Sequence, residues 1–223
     1  MKKRDEWIGL ILGFIGSMVG LVMLVLFNQY VLGMLPQPFK ALSTFPTYWF
    51  IAVAIIVLMI VFKDKLSSIG FCKEKIGLQI LIGIGLGVAM SAVLTLLPHL
   101  VGLGEYFCSP SGYTKWWQYC YEFTYCILAV GAAEEFVFRG YLFTKLKNIS
   151  GKNWVAVLVS SIMFGFFHIF AGGLGQMFMT ALIGLLLCFF KLKIKNCTLL
   201  SLIIAHGVYD ALIVVITAVM MGV

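Results

Sequence analysis

Charge is what this chain has least of: 11% of its 223 residues are Asp, Glu, Lys or Arg, against about 25% in soluble domains. So few charged groups cannot coat a water-soluble globule. Hydrophobic residues make up 62% of the chain and its mean hydropathy is +1.05, which identifies an integral membrane protein. Chemical signatures are missing as well. Six cysteines, at positions 72, 108, 120, 126, 188 and 197, form no Cys-x-x-Cys pair and read as free thiols, with Cys108 to Cys120 the one conceivable outer bridge. There is no His-Glu-x-x-His, so the usual zinc-protease signature is absent, and neither a Gly-x-Ser-x-Gly nor a cysteine beside a histidine supports covalent catalysis. No linker, low-complexity tract or internal repeat interrupts the sequence. It reads as one membrane domain over 1–223, and the missing repeat weighs against a transporter.

What is present is a series of apolar runs of membrane-spanning length, about 17–25 residues. They lie at Ile8–Phe27, Tyr48–Phe62, Ile76–Leu97, Gln118–Arg139, Trp154–Phe170, Leu174–Phe190 and Thr198–Val219. This predicts an all-α, polytopic membrane helix bundle of about seven transmembrane helices. A re-entrant pair around Gly172-Gly173-Leu174-Gly175 is an alternative for the fifth and sixth runs, because irregular backbone is allowed where it lines a cavity. Thirteen of the sixteen basic residues fall in alternate loops, beginning with Lys2-Lys3-Arg4, so the positive-inside rule puts the N-terminus in the cytoplasm. The net charge of +7 is thereby a topology signal. Its expected partner is anionic membrane lipid, not nucleic acid. The first run is expected to be an uncleaved anchor in the cell membrane. Gly9-x-x-x-Gly13, Gly16-x-x-x-Gly20 and Gly83-x-x-x-Gly87 are expected to serve close helix packing within the bundle.

Six ionisable residues sit inside these runs: Glu134, Glu135, Arg139, His168, His206 and Asp210. Such groups are costly in hydrocarbon and usually face a bundle interior where they act. Residues four apart share a helix face, so Glu135 can pair with Arg139 while Glu134, turned about 100° away, remains the candidate base. Gly151, in the basic turn after this helix, is 17 residues from both Glu134 and His168. With a rise of about 1.5 Å per residue the two come to similar depth on antiparallel helices. Phe164, one turn before His168, would wall the site. His206 and Asp210 share a face of the last helix, where the carboxylate can orient the imidazole. Two readings fit. In one, Glu134 and His168 polarise a water that attacks an amide carbonyl while His206, aided by Asp210, donates to the oxyanion. In the other, His168 and His206 with Glu134 or Asp210 bind Zn²⁺ and leave a position open for water.

These motifs, Glu134-Glu135-Phe136-Val137-Phe138-Arg139, Phe164-Gly165-Phe166-Phe167-His168 and His206-Gly207-Val208-Tyr209-Asp210, resemble those of the CPBP family. Its members are intramembrane proteases related to the CAAX prenyl endopeptidase Rce1 and to bacterial Abi and bacteriocin-processing proteins. The resemblance covers a core of about 118–219 and leaves the helices of 1–117 unassigned. It implies a multipass helical fold, peptide-bond hydrolysis within the bilayer, Glu134 with His168 as the water-activating pair, and His206 with position 210 on the oxyanion side. Asn is common at that last position in the prenyl-protein branch, whereas Asp210 cannot donate a hydrogen bond unless protonated. We therefore expect Asp210 to orient His206 or to bind a metal. The substrate class is a peptide or membrane-associated protein, a bacteriocin or leader among them. The competing functions are a non-catalytic bacteriocin self-immunity or peptide-binding protein and, third, a proton-coupled transporter.

Overall fold

The computed structural model describes residues 3–104 and 112–222, so Cys108 and the Pro110-Ser111 turn lie outside the described residues. Among the described residues the secondary structure is helical, without strands. Lipid explains this restriction, since a helix satisfies every backbone polar group within its own segment. The main helices are α1 (Lys3–Tyr30), α2 (Phe39–Tyr48), α3 (Phe50–Phe62), α4 (Ile76–Ser91), α5 (Trp116–Tyr125), α6 (Ala132–Glu135), α7 (Phe143–Ser150), α8 (Asn153–Phe167), α9 (Ile169–Lys193) and α10 (Leu199–Met221). Three π-helical stretches, Ala92–Leu96, Cys126–Gly131 and Phe136–Leu142, continue or join them.

Each of the seven apolar runs is helical, but length and hydropathy qualify fewer of them as complete spans. Four do so among the described residues: Lys3–Met34, Ile76–Leu100, Gly172–Lys193 and Leu199–Met221. Phe39–Tyr48 with Phe50–Phe62, bent by 42° at Trp49, makes a fifth if counted as one. Asn153–Phe167 is apolar but only 15 residues long. The 118–139 run carries four charges, Glu122, Glu134, Glu135 and Arg139, and its helix is interrupted by two π-helical stretches. The Gly172-Gly173 region is a break inside α9. Gly173 has φ 70° and ψ −155°, a conformation essentially reserved for glycine.

The chain divides into two compact units: Met1–Cys72 with Ala133–Leu199, and Lys73–Ala132 with Leu200–Val223. In the first, the small residues of α1 let it lie close against its neighbours. A methyl group at Gly9 would come within 2.7 Å of the Tyr141 hydroxyl and one at Gly13 within 2.9 Å of the Tyr141 ring, while Gly16 and Gly20 face Ala54 and Phe50. Antiparallel helices α8 and α9 meet through glycine too: Gly165 faces Met177 and Ala181, and Gly184 faces Ser161. Below them the buried Lys145 on α7 pairs with Asp64 at 2.7 Å and with Glu6 at 3.4 Å, tying α7 to the start of α1 and the end of α3.

In the second unit α4 and α10 run parallel, with Gly83 against Ser201 and Ile204 and Gly87 against Ala205 and Val208. Gly131 and Gly207 bring the Cys126–Gly131 stretch onto α10 in the opposite sense. A side chain at Gly83 would start 2.7 Å from the Ser201 carbonyl, whereas Gly77 on the same helix has no neighbour within 4 Å. Gly83→Leu should therefore cost about 1–3 kcal/mol by overpacking and lower the thermal midpoint in detergent. Gly77→Leu should leave it close to that of the parent protein.

Candidate functional site

Both glutamates stand on α6, a single α-helical turn flanked by the π-helical stretches Cys126–Gly131 and Phe136–Leu142. Such wide turns recur at functional sites because they re-aim side chains without ending the helix. Glu135 and Arg139 form an ion pair, Oε1 to Nη1 3.0 Å, with both side chains buried. Three further neighbours surround Arg139, two at its guanidinium and one at its main chain. The guanidinium carbon lies 3.9 Å above the Phe164 ring, Gly184 leaves room beside Nη2 where a side chain would start 3.2 Å away, and Lys191 donates through Nζ to the Arg139 carbonyl. The Lys191 ammonium also sits 4.4 Å over the Phe143 ring. Cation–π contacts strengthen where water is excluded, which makes this cluster a rigid block.

With Glu135 so occupied, Glu134 turns to another face and is equally buried, at 1% exposure. Its Oε1 accepts a hydrogen bond from the Tyr48 hydroxyl and lies 3.6 Å from Nε2 of His168. Tyr48 is the last residue of α2, at the bend before α3. His168 closes α8 with φ −93° and ψ 0°. Its Nδ1 lies 3.0 Å from the Phe164 carbonyl oxygen. A carbonyl only accepts, so in the neutral ring the proton is on Nδ1 and the Nε2 lone pair faces Glu134. Phe164 touches the His168 ring at a centroid distance of 4.8 Å and Phe167 at 5.4 Å. Phe164 thus links the Arg139 block to the histidine.

A pocket of about 190 Å³ opens on Tyr48 and His168, walled by Leu21, Leu24 and Val25 of α1 and by Phe167 and Phe170. A larger cavity, about 550 Å³, lies between Trp49, Met59, Ile60 and Phe136 with Lys63 and Asp64 at one end. None of Tyr48, Glu134 and His168 lines it. In the second unit, His206 is buried on α10 with Nε2 3.4 Å from Oδ2 of Asp210. Tyr48, Lys191 and Gly184 carry no motif in the sequence. Only the position of Tyr48 at the head of an apolar run hinted at a polar group near the membrane interior. Among the described residues no group of three or more His, Cys, Asp or Glu side chains is placed to hold a metal ion.

Residues 114–212 match the family described as type II CAAX prenyl endopeptidase Rce1-like. The match takes in less than half of the chain's 223 residues and shows what that segment is similar to. The Rce1-like segment contains all three motifs, and α1 to α4 lie outside it. No curated protein and no solved structure is significantly similar to the chain. The apolar helices make the chain a membrane protein with several spans, and its matched segment is similar to a family of endopeptidases.

Removing the Arg139 side chain would strand the Glu135 carboxylate where water does not reach. Arg139→Ala should destabilise the fold by about 3–5 kcal/mol. The effect is measurable as lost membrane abundance and a lower unfolding temperature; wild-type values would contradict a structural role for the pair.

Proposed function

We propose that this protein hydrolyses a peptide bond of a peptide or membrane-associated protein within the bilayer of the cell membrane, using a water activated by Glu134 and His168. The observation that carries this reading is the approach of the Glu134 carboxylate and the His168 Nε2 lone pair, with Tyr48 holding the carboxylate. At 3.6 Å the two bases are too far apart for a strong direct hydrogen bond and near enough for one water seated over the pair to reach both. Such a water donates one proton toward each base and turns its own lone pair outward.

Attack then proceeds in balanced steps. The water oxygen forms a bond to the amide carbon as Glu134 takes a proton, and the carbonyl electron pair moves onto oxygen. Collapse of this tetrahedral species breaks the carbon–nitrogen bond, and the proton held by Glu134 passes to the departing amine. His168, oriented by the Phe164 carbonyl, keeps Nε2 as the second acceptor for the water. His206 and Asp210 enter through their motif and their own pairing: we assign His206 to polarising the substrate carbonyl and Asp210 to holding the positive charge that makes the imidazole a donor.

Glu134→Gln keeps shape but removes the base. Cleavage of peptides by the purified protein should fall by about 10²–10⁴-fold while membrane abundance stays normal. Mass spectrometry of secreted and membrane peptides from cells carrying each form would find the substrate; equal peptide profiles would count against the hydrolytic reading. A second test concerns metal. Activity should survive treatment with a strong chelator, and loss that only Zn²⁺ restores would reject water activation by Glu134 and His168 alone.

A further inference from the structure

The small pocket beside Tyr48 and His168 is built mainly from outside the Rce1-like segment. Leu21, Leu24 and Val25 come from α1, and Tyr48 from α2; Phe167 and His168 close the other side. Both polar groups at its floor meet the same oxygen of Glu134, so whatever enters the pocket touches the groups that would activate water. Its walls are otherwise apolar. Its volume of about 190 Å³ is too small for a lipid chain or a folded segment. An apolar cavity of roughly 150 Å³ holds a benzene-sized group, which makes one Leu-sized to Phe-sized side chain the fitting occupant.

We propose that this pocket is the subsite for the apolar side chain adjoining the scissile bond, and that Leu21, Leu24 and Val25 of α1 set which side chain is accepted. The inference rests on the hydrolytic reading above. A peptide lying beside the pocket would bring its backbone carbonyl to Tyr48 and His168 while the neighbouring side chain fills the apolar recess. Val25 is half exposed at the mouth, Leu21 is partly covered and Leu24 is buried. Val25 can therefore be enlarged without disturbing the packing of α1, and Leu21 can be trimmed to deepen the recess.

The test uses the full-length protein in lipid nanodiscs and an internally quenched peptide library randomised on both sides of one cleavable bond, with products read by mass spectrometry. In Val25→Trp the ratio of kcat/KM for Phe or Leu over that for Ala at the adjoining position should fall at least tenfold, within the range a hydrophobic pocket discriminates. In Leu21→Ala the ratio should move the other way, toward larger side chains. Val22→Trp, half exposed on the same helix and outside the pocket lining, should leave the ratio where it was. An unmoved ratio in both pocket variants, with cleavage still lost in Glu134→Gln, would overturn the pocket assignment and spare the hydrolytic reading. Cleavage that persists undiminished in Glu134→Gln would overturn the hydrolytic reading, and the pocket assignment with it.

Discussion

Everything at the candidate site is referred to the buried pair between Glu135 and Arg139. An arginine in hydrocarbon needs a carboxylate, and a carboxylate one turn earlier on the same helix is the cheapest source of one. Once that bond is made, helix geometry leaves Glu134 no choice of direction. It must point about a quarter-turn away, toward the corner of α2 and the end of α8. The aromatic ring of Phe164 then connects the two halves of the arrangement, stacked on the guanidinium on one side and edge-on to His168 on the other. Charge neutralisation and base positioning are thus two results of one local geometry.

The Lys145 cluster repeats the logic closer to the end of the bundle. A buried ammonium joins carboxylates from α1 and from the turn after α3, and the glycines of α1 let three elements come near enough to share it. The outer helices are thereby fastened to the segment that carries the motifs. This matters because Tyr48, the group that holds Glu134, arrives on those outer helices. The matched segment of 114–212 contains Glu134 and His168 but not the phenol that hydrogen-bonds to Glu134.

Much of this geometry could be read from spacing. Four-residue separations gave the Glu135–Arg139 and His206–Asp210 pairs, and equal chain distance from Gly151 brought Glu134 and His168 to one depth. Depth is a one-dimensional property and spacing supplies it; direction around the helix axis is not. The π-helical stretches that set direction on either side of α6 arise from main-chain hydrogen bonding and leave no hydrophobic period to detect. Tyr48, Gly184 and Lys191 were hidden for a related reason. Each contributes through a contact far along the chain, and nothing in its immediate neighbours distinguishes it. Counting spans was harder still, because the helices bearing the chemistry are the ones whose charges and breaks spoil the hydrophobic signal.

The wide turns around α6 also bear on how such a chain can change over time. A π-helical turn accommodates one residue more than an α-helical turn would, so losing a single residue from Phe136–Leu142 would let the ordinary ladder re-form. The helix beyond would keep its phase, while the side chains within the stretch would move around the axis relative to the glutamates. Exchange of one letter for another in this stretch is a matter of fit. Loss of one residue exchanges the wide turn for a narrow one, which re-aims the side chains inside it, Arg139 among them, and leaves α7 where it stands.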